Sequence, residues 1–299
     1  MTAAATGEAD LPRARVAVIG GSGFYDFPDL KERRDVEVET PFGPPSDALV
    51  TGRLDGETVA FLPRHGRGHR FSPTEVPYRA NVFALKRLGV EWIISVSACG
   101  SMREEIAPLD VVVPDQLFDR TRVRASTFFE DGVVGHVGFA DPFCPVLSRV
   151  LVQAGRQAGT RVHPGGTYIC IEGPQFSTRA ESRIYRQWGV DVIGMTAIPE
   201  AKLAREAEIH YATLAFVTDY DVWHETEAEV SVELVVRNLQ ANVEAGRRII
   251  RAALPAIPTE SGACLCPGAL ESAVITQGDR ISPAARRRLA PLLDKYLPP

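Results

Sequence analysis

Apolar residues fall along this chain in short runs separated by turn signals, and the runs switch between two periods. VAVIGGSG (16–23) is a β-branched run closed by glycines, which predicts a strand and a tight loop. In LVTGRLDGETVAFLPRHG (49–66) two runs flank Asp55-Gly56, a strong hairpin signal. EWIISVSACGS (91–101), DVVVPDQLFD (110–119), GGTYICIEG (165–173), DVIGM (191–195) and HYATLAFVTD (210–219) read as further strands. Helical spacing marks PYRANVFALKRLGV (77–90), SRVLVQAGRQAG (148–159), TRAESRIYRQWG (178–189), PEAKLAREAEI (199–209) and a long amphipathic stretch over 230–257. Thr178 followed three residues later by Glu181 has capping-box spacing.

Strand and helix alternate from 16 to 257 with no linker between them. This order predicts one α/β domain, a central and largely parallel or mixed sheet with helices on its faces. The expected division is a disordered tail over 1–14, the domain over 15–257 and a C-terminal extension over 258–299. That extension is turn-rich in TESGACLCPGAL and ends in a short basic helix, so it is expected to pack on the surface or on a neighbour.

Composition changes the picture mainly by exclusion. The 299 residues carry a net charge of −5 and no basic block, which argues against a nucleic-acid groove. The chain holds no apolar run long enough to span a membrane, and MTAAATGEADLPRAR lacks the apolar core of a signal peptide. A cytoplasmic protein is expected. Five scattered cysteines (99, 144, 170, 264 and 266) do not make a secreted disulfide framework.

Ligands of open α/β sheets bind beyond the carboxyl ends of the strands. The loops there are GGSG, PRHG, SACGS, EGPQFST, GMT and TDYD, which together hold hydroxyls, backbone donors, one Arg–His pair and acids, but no lysine. GGSG suits a phosphate or a plain tight turn. It fits the dinucleotide fingerprint poorly, because Asp26 stands at the third glycine position and Pro28 follows. Arg64 and His65 suit an oxyanion, or are a surface arginine beside a structural histidine. His65 and His69 have no Cys or Glu in their segment to complete a metal set, so no metal is expected. Cys99 reads as a packing thiol, since no nucleophile elbow or base accompanies it. Met195 and Phe176 are core residues or covers for a flat ligand. Asp219 and Asp221 close an apolar strand and either face a ligand or cap the next element.

Together, IGGSGFYD, TPFGPPSDAL, RHGRGH, YRANVFALK, SACGSMREE, DQLFDRT, ADPFCP, IEGPQFSTRAES and MTAIPEAKLARE resemble the trimeric purine nucleoside phosphorylases, nearest their 5′-methylthioadenosine phosphorylase branch. The resemblance runs from about residue 16 to 257 and implies that the mixed sheet is partly barrel-like. It implies phosphorolysis: phosphate, a co-substrate, attacks the anomeric carbon and the purine leaves, with no cofactor. Ser22, Arg64, His65, Ser97, Ala98 and Thr196 would hold the phosphate. Ala98, Phe176 and Met195 would line the sugar and base. Members acting on 6-aminopurines carry aspartates in the TDYD loop, so Asp219 would protonate or hydrogen-bond N7 and Asp221 would accept from the 6-amino group. His136 would reach a neighbouring subunit's site, and Val232 and Val235 would shape an apolar slot for a methylthio group. A homotrimer, or a dimer of trimers, follows.

Ser22 and Ser97 stand where threonines are common in the family, and Cys264-Leu265-Cys266 resembles a CxC pair of some thermostable members. The function expected is cleavage of 5′-methylthioadenosine to adenine and 5-methylthioribose 1-phosphate. The alternatives are a broader phosphorylase of adenosine or 6-oxopurine nucleosides, a non-catalytic nucleoside-binding module and, most remotely, a nicotinamide oxidoreductase.

Overall fold

A computed structural model of the chain describes residues 11–21, 24, 27–224, 232–260 and 264–297. In chain order the elements are β1 (Val16–Gly20), β2 (Lys31–Val36), β3 (Leu49–Leu54), β4 (Glu57–Pro63), α1 (Tyr78–Arg87), β5 (Trp92–Ser101), β6 (Val111–Val113), β7 (Gln116–Arg120), α2 (Pro145–Gln157), β8 (Val162–Pro164), β9 (Thr167–Ile171), α3 (Arg179–Gln187), β10 (Val192–Gly194), α4 (Ala197–Glu206), β11 (His210–Asp219), α5 (Val232–Ala253) and α6 (Pro283–Leu293).

The strands form one mixed sheet with a fork at β5. The main path runs β2-β3-β4-β1-β5-β10-β9-β7, while off this path β11 pairs with β5 and β6, and β6 pairs with β8. The start of β5 lies between two parallel neighbours, with Trp92 opposite both Val16 of β1 and His210 of β11. At Gly100 and Ser101 the β1 side passes to β10, which runs antiparallel. Every residue of β11 is buried, as expected for a central strand covered on both faces.

Side chains alternate between two cores because successive strand residues point to opposite faces. Ala17 and Ile19 join α1 and α4 on one side; Val16 and Val18 join α2 and α5 on the other. The C-terminal segment seals the first core with Ile281, Leu289, Leu292 and Leu293. It therefore packs on its own chain.

Two sequence expectations are corrected here, and two strands that the pattern did not predict are added. The stretch 110–119 is two strands, because Pro114 has no N–H for a ladder and the chain turns onto a new neighbour. β2 is strongly polar and β8 very short, so neither shows the apolar pattern of a strand. Within the expected tail, Ala14 is buried with its N–H on the Leu88 carbonyl, and Leu11 packs on the core. By contrast, the hairpin turns at Asp55 and Gly56, both with positive φ. Both halves of the Thr178–Glu181 capping box form at the start of α3.

Candidate active site

Parallel pairing of β1 with β4 and β5, and of β5 with β11, puts their carboxyl ends on one edge. Arg64 and His65 follow β4, Ser97 and Ala98 lie late in β5, and Asp219 ends β11. Thr196 caps α4 with a hydroxyl that makes no capping bond.

Asp219 owes its position to an irregularity. The β5–β11 register slips between Val217 and Asp219, opposite Cys99 and Gly100. A bulge of this kind re-aims the side chain that follows it. Helix α5 pins it: Asn238 Nδ2 donates to the Thr218 carbonyl at 2.6 Å and Asn242 Nδ2 to the Val217 carbonyl at 3.3 Å. Gly100 makes room, because a Cβ there would stand 2.8 Å from Asp219 Oδ1.

Burial raises the Asp219 carboxyl to about 6. Bonds from Thr218 and the Asp221 N–H oppose this, and the Asp221 charge adds least. Burial, more than repulsion between the two acids, is thus the main cause of the shift. Thr218 Oγ1 lies 2.7 Å from Asp219 Oδ2 and 3.2 Å from the Cys99 carbonyl. One hydroxyl proton cannot serve both acceptors at once, and the shorter contact is the one to Asp219.

Asp221 sits at φ +54°, buried, with Ser177 Oγ donating to its Oδ2 at 2.5 Å. Burial raises this carboxyl too, against the bonds from Ser177 and Ser182. Two residues on, Trp223 Nε1 donates to the Ser101 carbonyl at 2.7 Å and fastens the loop to β5.

Arg64 is more deeply committed than a surface phosphate ligand. It is 1% exposed, and pairs with Glu200 through Nε–Oε1 at 2.5 Å and Nη2–Oε2 at 3.1 Å. It also donates to the Val96 carbonyl and to Ser95 Oγ, both at 2.8 Å. Burial works against its charge, but Glu200, with smaller contributions from Tyr211 and Tyr78, more than offsets it and raises its basicity. Tyr211 and Ser95 hydroxyls complete the Glu200 shell.

His65 stacks on His69 with ring centres 4.3 Å apart. Its Nδ1 lies 2.8 Å from the Phe71 carbonyl, which can only accept, so Nδ1 carries the proton. Burial, and then the Arg64 charge, lower His65 to about 4. At neutral pH the ring is uncharged and offers Nε2 as an acceptor.

Ser97 Oγ is buried and has no well-formed hydrogen bond, and the same holds for the hydroxyl of fully buried Tyr168 on β9. Buried polar groups are normally paired, and these two hydroxyls lie close enough to act on each other. Burial holds the Tyr168 phenol neutral, well above its usual range. Gly194 admits it: a Cβ there would fall 1.9 Å from that hydroxyl. Cys99 is buried and its thiol is pushed far up by burial, which fits packing and not attack.

Met195 packs against Gly173, where a Cβ would meet its sulfur at 2.6 Å. Arg124 ties the same region together, donating to the Met195, Ile198 and Glu172 carbonyls. Ala98 and Val235 are half-buried, and Phe176 is 42% exposed on the loop after β9. His136 is exposed and lines a surface depression with Gly138, Arg205, Cys264 and Ala273, which includes neither Arg64 nor Asp219. Ser22 and the Val232 side chain lie outside the described residues.

Sequence reasoning missed Glu200, Ser177, Tyr168 and Arg124. Glu200 and Ser177 had a signal, since they stand inside MTAIPEAKLARE and IEGPQFSTRAES. Tyr168 and Arg124 had none.

A family model described as "Phosphorylase superfamily" matches residues 15–255. The chain is 54% identical over 289 residues to an S-methyl-5′-thioadenosine phosphorylase of Gloeobacter violaceus, covering 95% of this chain and 97% of that protein. A crystal structure of a methylthioadenosine phosphorylase from an antarctic soil metagenomic library superposes with a TM-score of 0.90 at 52% identity, covering 94% and 99% of the two chains. A methylthioadenosine phosphorylase from Schistosoma mansoni in complex with adenine has a TM-score of 0.79 at 40% identity, covering 83% and 93%.

Proposed function

Since the chain belongs to the phosphorylase superfamily, we propose that it is a cytoplasmic, homotrimeric pentosyltransferase that cleaves 5′-methylthioadenosine with inorganic phosphate. The products are adenine and 5-methylthioribose 1-phosphate. The observation that carries the chemistry is the buried Asp219, raised to about 6 beside Asp221.

A departing purine needs its negative charge neutralised, and a carboxylic acid near neutrality can deliver the proton to N7. Asp221, held by Ser177, accepts from the 6-amino group. Ser97, Thr196 and neutral His65 contact the phosphate, while the buried Arg64–Glu200 pair braces the strand ends behind them. Such a site orients the nucleophile and stabilises developing charge through preorganised groups. Phe176 and Met195 cover the base, Ala98 lines the sugar, and Val235 borders the methylthio slot. His136 faces outward, as a residue serving a neighbouring subunit does.

None of the groups named here calls for a metal or an organic cofactor in the reaction. The test is adenine release from methylthioadenosine with and without phosphate. Release that ignores phosphate rejects phosphorolysis, and faster turnover of inosine rejects the aminopurine assignment.

A further inference from the structure

Far from Asp219, at the other end of β11, four metal-ligating side chains converge. Cys144, His210, Cys264 and Cys266 bring their ligand atoms within 4.8 Å of one another. Cys144 Sγ lies 3.2 Å from His210 Nδ1, Cys264 Sγ also 3.2 Å from it, and the two sulfurs are 3.8 Å apart. A tetrahedral zinc with bonds of about 2.3 Å to sulfur and 2.0–2.1 Å to nitrogen separates its sulfurs by roughly 3.8 Å and sulfur from nitrogen by roughly 3.5 Å. All five cysteines are free thiols. Three sulfurs around one imidazole are an odd number, so one disulfide leaves a thiol over.

The surroundings are prepared for thiolate ligands. Cys144 is the N-cap of α2, and the Leu147 N–H points at its sulfur at 3.4 Å. A helix N-terminus favours negative charge there. His210 is 1% exposed and lies flat on Trp92, ring centres 3.7 Å apart and 8° from parallel, which fixes Nδ1 toward the sulfurs.

We propose that Cys144, His210, Cys264 and Cys266 bind a structural zinc ion. The set is closed, with four protein ligands, so it offers a structural site and no open catalytic position. The metal clamps the segment from residue 264 onward to the starts of α2 and β11. That segment in turn holds the 133–136 loop, through the Gly135–Val274 bridge and the His136 N–H on the Ala273 carbonyl. The site is independent of the proposed reaction.

The test is metal content of the full chain, purified under reductant, supplied with zinc and dialysed. About one zinc per protomer is expected for a closed site, with at least a tenfold loss in Cys264→Ser/Cys266→Ser. Cobalt(II) should give the strong visible bands of a tetrahedral thiolate site. Alkylation of half-buried Cys264 provides a readout without variants: it should be blocked by zinc and restored by a chelator. Retention of under a tenth of a zinc per protomer overturns the proposal, as does equal zinc in wild type and the double variant, or Cys264 labelling that zinc does not change.

Discussion

Arg64 and Glu200 grip each other through two hydrogen bonds, with both side chains shielded from water. A pair this deep cannot lose one partner without leaving an unmatched buried charge. Arg64→Ala should destabilise the chain by about 3–5 kcal/mol, and Glu200→Ala similarly. Denaturant melts check this. Arg64→Ala should also raise the phosphate KM more than the nucleoside KM. Unchanged stability in both variants contradicts the buried-pair account, and a larger rise in nucleoside KM contradicts the phosphate role.

Asp219→Asn should lower turnover of 6-aminopurine nucleosides by about 10²–10⁴-fold, the usual worth of a general acid. Turnover of 6-oxopurine nucleosides should fall far less. Parallel losses on both substrates count against the N7 assignment.

The raised Asp219 carboxyl also predicts a pH dependence of stability. Between its ordinary value of 3.8 and its folded value of about 6, the native state binds more protons than the unfolded state. The contribution of this group is therefore full below 3.8 and lost as pH rises through 6, up to about 3 kcal/mol. Wild type should lose this increment across that window and Asp219→Asn should not. An Asn amide can still donate to Thr218, so the variant should match or exceed wild-type stability at pH 8. Identical pH profiles argue against a buried proton on Asp219.

Ser97→Ala removes a buried hydroxyl that has no well-formed bond. Free-enzyme stability should stay level to within about 1 kcal/mol, because no well-formed bond is lost. Phosphate KM should increase at the same time. Thermal melts with and without phosphate separate the effects, and a larger loss of stability without phosphate contradicts this account.

Gly100→Ala tests the packing that aims the acid. The new methyl would press on Asp219 Oδ1 at 2.8 Å and on Asp221 Cβ at 3.3 Å. Turnover should drop at least tenfold, with a modest change in melting temperature. Wild-type turnover means that the aspartates do not need this clearance.

Much of this was legible in the chain itself. Period-two apolar runs and turn residues predict the strands that carry the site, because alternation of side chains across a sheet is a local rule. The end of β11 at Asp219, the hairpin at Asp55-Gly56 and the cap at Thr178 follow from such rules. Strands with little apolar pattern, such as β2, did not show.

The residue types of the site were also readable, through resemblance of its loops to a known family. Their working states were not. That Arg64 is consumed by Glu200, that His65 is neutral, that burial sets Asp219, and that Tyr168 fills the space left by Gly194 all depend on residues far apart in sequence. Desolvation and pairing are properties of packed neighbours, and no local pattern encodes them. The cysteine–histidine cluster is the extreme case, since its ligands stand at 144, 210, 264 and 266 and only Cys264-x-Cys266 is local. Sequence by itself determined which elements form and which chemistry the loops carry. Only the tertiary structure decided which of those groups are charged and which are spent on one another, because burial brings them together and removes the water that would keep them independent.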